Sequence, residues 1–202
     1  MREKNQDTDK KAKIISKYNL SSHFYDQRYK EIQNQKYRII LDEKCLRGNL
    51  FLDVGCGTGL LLEFLLNMEM IPEFRYVGID ISIEMLNQFK NKLKSKLKVI
   101  EKNNQKRISL LVADLENLPF REHLFSTIFS FTTFQNTPSI PIGFKELLRI
   151  GKGNSILISS FLKKSNNLEI FLTQIKENLK HYELIDNNSM EDILIRGTVK
   201  KT

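Results

Sequence analysis

Phe51-Leu52-Asp53-Val54-Gly55-Cys56-Gly57-Thr58-Gly59 is the stretch whose reading decides the fold. An apolar run that ends in an acid and meets three alternate glycines reads as a strand, a tight turn and a helix start. In a parallel α/β sheet the carboxyl ends of the strands border a crevice. Glycines placed there let backbone N–H groups approach a ligand that no side chain blocks. The spacing bears on which ligand. A dinucleotide fingerprint needs Gly-x-Gly-x-x-Gly, whereas the third glycine here arrives one residue early, at Gly59, and Leu60 takes the place reserved for glycine. Asp53 stands at the mouth of the strand, where a carboxylate repels a pyrophosphate and attracts an ammonium group. The run therefore favours a zwitterionic nucleoside over a dinucleotide.

Downstream, Thr58 reads as a helix N-cap, and Leu61, Leu62, Phe64, Leu65 and Leu66 supply an apolar face to about Met68. Pro72 and Glu73 break the chain before a second strand, Tyr76-Val77-Gly78-Ile79-Asp80. Strand, helix and strand make a parallel unit with a right-handed crossover. Asp80 lies 21 residues after Gly59, where a doubly wound fold places the carboxylate that takes both ribose hydroxyls. Ile81 then presses on an adenine face. After a helix opened by Ser82, a third strand, Ile108 to Val112, leads to Asp114 and Leu115. An acid there accepts a hydrogen bond from an exocyclic amine while the next backbone N–H reaches a ring nitrogen, and the two contacts together select adenine.

Phe125 to Phe131 is a fourth strand, and the loop over Ser130 to Asn136 at its end lies beside the first strand, where it decides the substrate. A helix at Gly143 to Ile150, a fifth strand at Asn154 to Phe161, a helix at Leu168 to Leu179 and two antiparallel strands at 182–185 and 192–199 complete the pattern. Ahead of the glycine run, Ile14 to Leu46 carries apolar and aromatic residues at helical spacing. Its tyrosines Tyr18, Tyr25 and Tyr29 belong either to a structural cap on the sheet or to a lid over the ligand. Residues 1–13 are polar and without period, so the reading is a flexible start followed by one domain at 14–202 with a helical cap at 14–48.

These segments together resemble the class I S-adenosylmethionine-dependent methyltransferases, in particular the ubiquinone/menaquinone-biosynthesis type (methyltransferase type 11 group). Tyr25-Asp26 with Tyr29 matches the layout ahead of that family's core, and Asp114-Leu115 to Pro119-Phe120 matches its acid, apolar, loop, Pro-Phe signature. Ser126 stands where the family usually has Asp, and Gly151-Lys152-Gly153 shortens its usual Leu-Lys-Pro-Gly-Gly turn. The resemblance implies a doubly wound, mostly parallel seven-stranded sheet of Rossmann-like form, with S-adenosyl-L-methionine as cofactor. The cofactor-binding residues it implies are Tyr25, Tyr29, Asp53, Gly55, Cys56, Gly57, Gly59, Asp80, Ile81, Asp114, Leu115, Ser130 and Phe131. Methyl transfer from a sulfonium needs no metal, and a general base only where the acceptor must lose a proton. His23 is the candidate base, while Phe134 and Asn136 are candidates beside the methyl group. The acid or Asn, two prolines and an aromatic common to enzymes that methylate base nitrogens or glutamine amides are absent from the 130–136 loop. A small-molecule acceptor is favoured. RNA or a translation factor, with a partner subunit, is the alternative, and a non-catalytic cofactor-binding scaffold is another.

The bulk properties agree with one soluble domain: 202 residues, 41% hydrophobic, 28% charged. No apolar run approaches the roughly 20 residues that span a bilayer and no secretory signal is present, so a cytoplasmic monomer or homodimer without integral membrane association is expected. Cys45 and Cys56 have no companion at metal-ligand spacing, and Cys56 reads as a small packing residue of the glycine loop. The net charge of +8 is concentrated from Lys90 to Arg107. A helix leaving the carboxyl end of a strand carries its own end to the far edge of the sheet, so this cluster reads as a solvated surface or a docking patch away from the chemistry.

Overall fold

The computed structural model describes residues 2–42, 46–67, 74–96 and 107–200. The expected break at Pro72 and Glu73, Cys45, and the lysines at 98, 102 and 106 lie outside them. Seven strands form one sheet: β1 (Leu50–Val54), β2 (Arg75–Asp80), β3 (Ile108–Val112), β4 (Phe125–Phe131), β5 (Gly151–Leu162), β6 (Leu179–Asp186) and β7 (Asp192–Val199), in the order β3-β2-β1-β4-β5-β7-β6. β1 to β5 are mutually parallel, and β7 runs antiparallel between β5 and β6. The doubly wound, mostly parallel architecture expected from the sequence is the one observed. β1 sits at the centre of the five parallel strands with β2 on one side and β4 on the other, so the winding reverses there, and a crevice opens at the carboxyl ends of β1 and β4.

The strands are apolar on both faces because helices cover both. Leu52, Val54 and Ile128 face α5 (Ile140–Ile150) and α6 (Leu168–Asn178), where Phe134 stacks on Phe144 at 4.7 Å and Phe161 on Phe171 at 4.3 Å. On the other face Phe51, Phe129 and Phe131 meet Tyr37 of α2 (Tyr25–Ile40) and Leu61 and Phe64 of α3 (Leu60–Asn67). A third cluster joins Cys56, Leu62 and Tyr76 to Leu86 and Phe89 of α4 (Ile83–Lys96). Ser139 caps α5 through the Ile142 N–H, with Pro141 in the first turn.

Several local expectations are corrected. Helix α1 spans Arg2–Ser21, so most of the stretch read as a flexible start is helical, because Lys10 and Lys11 anchor it on the body of the domain. Thr58 does not cap α3; its hydroxyl donates to Asp26 of α2 at 2.5 Å. Asp26 also takes an ion pair from Lys92, so this member of the basic cluster faces α2 instead of solvent, whereas Lys90 and Lys94 are exposed. The helix expected to run to Leu179 ends at Asn178, and His181 lies in β6 at a register shift, with φ of +48°. β5 begins at Gly151, earlier than read, because Gly151 pairs with Phe125 before the ladder resumes at Ile156.

Candidate functional site

The crevice is built from three strand ends. The first turn after β1 is tied to β2, with the N–H groups of Gly55 and Cys56 donating to the Ile79 carbonyl at 2.8 and 2.9 Å. Asp80, at the end of β2, reaches back: one carboxylate oxygen accepts the Gly57 N–H at 2.9 Å and the other the Ser82 N–H at 2.8 Å. Burial raises the Asp80 carboxyl pKa above its ordinary value, and the N–H bonds from Ser82 and Gly57 oppose that rise. Gly57 has φ of +53°, and a methyl group there would meet nothing within 4 Å. Its missing side chain is therefore open space at the crevice wall.

Of the residues expected at the site, Tyr25, Gly55, Gly57, Asp80, Ile81 and Asp114 line the main lobe of the crevice, as do Leu115, Phe131 and Asn136. A smaller lobe shares Tyr25, Gly55, Gly57 and Phe131 with it and adds Asp53 and Cys56. Others stand apart. Tyr29 packs behind Tyr25 with its ring tilted by 42° at 4.8 Å, and Gly59 packs on Phe89. Ser130 is buried within the sheet, its carbonyl taking the Ser159 hydroxyl. Phe134 is a core residue with no exposure. The His23 imidazole pairs with Gln88 of α4 at 2.9 Å and lines neither lobe, so it is not positioned as a base in the crevice.

Lys11 and Ile14, which the sequence did not single out, line the crevice beside Tyr18, a lid candidate from the sequence. Lys11, Ile14 and Tyr18 of α1, at i, i+3 and i+7, form one wall. Lys11 pairs with both Asp114 and Glu116 at 2.5 Å, Asn136 donates to the Tyr18 hydroxyl at 2.9 Å, and Ser82 donates to Asn19 at 2.6 Å. The helical spacing was present in the sequence, but Lys11 lay in the stretch set aside as flexible.

Asp53 is 3% exposed and receives the Tyr76 hydroxyl. Burial pushes its carboxyl up to about 7; the Tyr76 bond opposes this and the nearby Asp80 charge adds to it. Between its ordinary 3.8 and about 7, the folded protein holds a proton that the unfolded chain has released. This group's contribution to stability is therefore full below 3.8 and is lost as pH rises to about 7, by up to roughly 1.4 kcal/mol per pH unit. Asp53→Asn, neutral throughout, is expected to remove that component. Urea unfolding at pH 4 to 8 checks it: parallel pH profiles for the two proteins would mean that Asp53 is ionised across the range.

Behind the crevice lies a buried polar network. Lys36 of α2 donates to Asp192 at 2.6 Å and to the Thr132 hydroxyl at 2.9 Å, and Ser160 donates to Asp192 at 2.8 Å. Burial lowers the Lys36 pKa against the opposing pull of Asp192. Thr132, which lines the main lobe, has φ of +57°, a costly conformation for a β-branched residue. The network holds it there. Among the described residues no group of three or more His, Cys, Asp or Glu is arranged to hold a metal, and no helix is long and apolar enough to cross a membrane.

A seven-stranded doubly wound sheet with a glycine turn at its switch point defines the class of protein. The chain belongs to the methyltransferase domain family, whose model matches residues 52–159, just over half of its length. Among curated relatives it is 23% identical over 160 residues to a malonyl-[acyl-carrier protein] O-methyltransferase of Hamiltonella defensa, covering 79% of this chain and 56% of that one. It is 30% identical over 122 residues to the ubiquinone/menaquinone biosynthesis C-methyltransferase UbiE of Pseudomonas aeruginosa, covering 60% and 45%. The chain thus spans about half the length of these relatives. Among solved structures, a SAM-dependent methyltransferase from Aquifex aeolicus superposes with a TM-score of 0.63 at 19% identity, covering 84% and 97% of the two chains. A chain solved in complex with the Haloferax volcanii Trm112 methyltransferase activator superposes with a TM-score of 0.64 at 14% identity, covering 91% and 98%.

Proposed function

We propose that this protein is an S-adenosylmethionine-dependent methyltransferase whose acceptor is a small molecule. The observation that carries the reading is the switch-point crevice, in which Gly57 leaves open space and Asp80 bridges the glycine turn to the start of α4. The residues fit the cofactor by their chemistry. Asp80 offers a carboxylate suited to a vicinal diol, Asp114 an acceptor for an exocyclic amine, and Asp53 an acid beside the glycine turn suited to an ammonium. When bound, the cofactor supplies a methyl group on a positively charged sulfur, open to in-line displacement. The chain's own part is to align donor and acceptor and to exclude water.

Ile14, Tyr18, Val54, Phe131 and Pro138 make much of the main lobe apolar, which suits a hydrophobic acceptor. The name of one relative, a ubiquinone/menaquinone biosynthesis C-methyltransferase, points the same way. RNA or a translation factor, met with a partner subunit, is a second reading that draws on the +8 charge. Calorimetry with S-adenosylmethionine and S-adenosylhomocysteine tests the reading, and no heat at millimolar ligand would overturn it. Incubation with a methyl-labelled donor and fractionated cell extract then shows whether label enters small molecules, RNA or protein.

Asp80→Ala is expected to weaken S-adenosylhomocysteine binding by about 1–3 kcal/mol, through loss of charge-assisted hydrogen bonds and of the tether on Gly57. Unchanged affinity in the same titration would remove Asp80 from the site.

A further inference from the structure

The lining of the smaller lobe includes an amide side chain from outside the glycine turn. Gln33 of α2 is 5% exposed, and its Oε1 has no hydrogen-bond partner among the described residues. Native structures leave few buried acceptors in this state, so the group needs an explanation.

The direction in which the amide points follows from counting donors. Lys36 Nζ can only donate, and Thr132 Oγ1 accepts from it at 2.9 Å. The single Thr132 hydroxyl hydrogen has Asp192 Oδ2 at 3.3 Å and Ser160 Oγ at 3.2 Å as acceptors. The anionic carboxylate competes best for it. Ser160 gives its own hydrogen to the same Asp192 oxygen at 2.8 Å and accepts the Thr132 N–H at 3.0 Å. Gln33, 3.3 Å from Thr132 Oγ1, is therefore held with Nε2 toward that oxygen. Oε1 is left as a bare acceptor, and the lobe that Gln33 lines also contains Asp53 and has no cationic side chain in its lining among the described residues.

We propose that Gln33 Oε1 receives the α-ammonium group of the cofactor's methionyl end, next to Asp53. An ammonium carries three hydrogens and no lone pair, which matches a lobe that offers acceptors and lacks a cation. Gln33 thus reads the charge of the amino-acid end from outside the glycine turn. Lys36 and Asp192 act as positioning residues by fixing the amide's orientation through Thr132. This assignment rests on the methyltransferase reading above and deepens it.

Titration calorimetry of wild type and Gln33→Leu with three ligands tests it. The ligands are S-adenosylhomocysteine, its deamino analogue, and 5′-methylthioadenosine, which lacks the amino-acid end altogether. Gln33→Leu is expected to lose about tenfold in affinity for S-adenosylhomocysteine, the equivalent of one hydrogen bond to a charged group. Binding of the other two ligands is expected to stay within about twofold of wild type. Unchanged affinity for S-adenosylhomocysteine, or an equal loss for it and the deamino analogue, overturns the proposal. If Gln33→Leu binds methylthioadenosine poorly, Gln33→Met, which keeps the length and removes the acceptor, is judged by the same two comparisons. Failure of wild type to bind either S-adenosylhomocysteine or methylthioadenosine would instead overturn the methyltransferase reading.

Discussion

Gly59→Ala is expected to destabilise the protein by about 2–5 kcal/mol, enough to remove a large share of the stability of a domain of this size. Gly59 has φ of +84°, and a Cβ there would lie 2.3 Å from one ring carbon of Phe89 and 2.4 and 2.6 Å from two others. Phe89 cannot swing aside, because it is 2% exposed and packs edge-on against Tyr76 at 6.2 Å. The substitution thus combines a disfavoured backbone with overpacking where α3 meets α4. Urea unfolding reads the effect, and a midpoint equal to that of wild type would mean that α3 can slide away from Phe89. Gly57→Ala makes the contrast. Its φ is also positive, but its methyl group meets nothing, so the stability loss is expected to stay near 1–2 kcal/mol while S-adenosylhomocysteine binding is abolished by the filled crevice wall. Two glycines two residues apart would then separate a packing role from a binding role.

Lys36→Ala is expected to cost about 3–5 kcal/mol, because it strands Asp192 in the interior without its cation. Both side chains are 4% exposed, and the ammonium also holds Thr132 in its left-handed conformation. A double replacement, Lys36→Met with Asp192→Leu, is expected to recover most of that loss, since removing both charges removes both desolvation penalties. Denaturation of the two variants and wild type checks this. A double variant no more stable than Lys36→Ala would show that the hydrogen bonds to Thr132 and Ser160, more than the charge pair, hold this corner together.

Much of the fold was legible in the sequence because it rests on local periodicity. Apolar runs of strand length, such as Tyr76 to Ile79 and Phe125 to Phe131, alternate with helical spacings, and that alternation specifies a parallel sheet wound on both sides. The hinge of the design, Asp53 to Gly59, was readable because alternate glycines at a strand end have few other uses. Side chains whose partners lie far away in sequence were not legible there. Lys11 reaches Asp114, 103 residues on, and Lys36 reaches Asp192, 156 residues on. Even so, α2 carried a signal. Its buried positions Gln33, Lys36, Tyr37 and Ile40 follow the inward spacing of a helix, and two of them are polar. A polar residue at an inward position needs a buried partner, and the sequence does not show which.

By itself, then, the sequence determined the doubly wound sheet, the place of the glycine turn, and the acids at the ends of the first three strands, since each follows from spacing along the chain. Only the tertiary structure decided that α1 forms a wall of the crevice, that Thr58 turns to Asp26, that Phe134 belongs to the core, and that Gln33 faces the smaller lobe with its oxygen unpaired. Those outcomes depend on which distant donors and acceptors meet once the helices pack. Hydrogen-bond partners are chosen by geometry across the fold, not by neighbourhood along the chain.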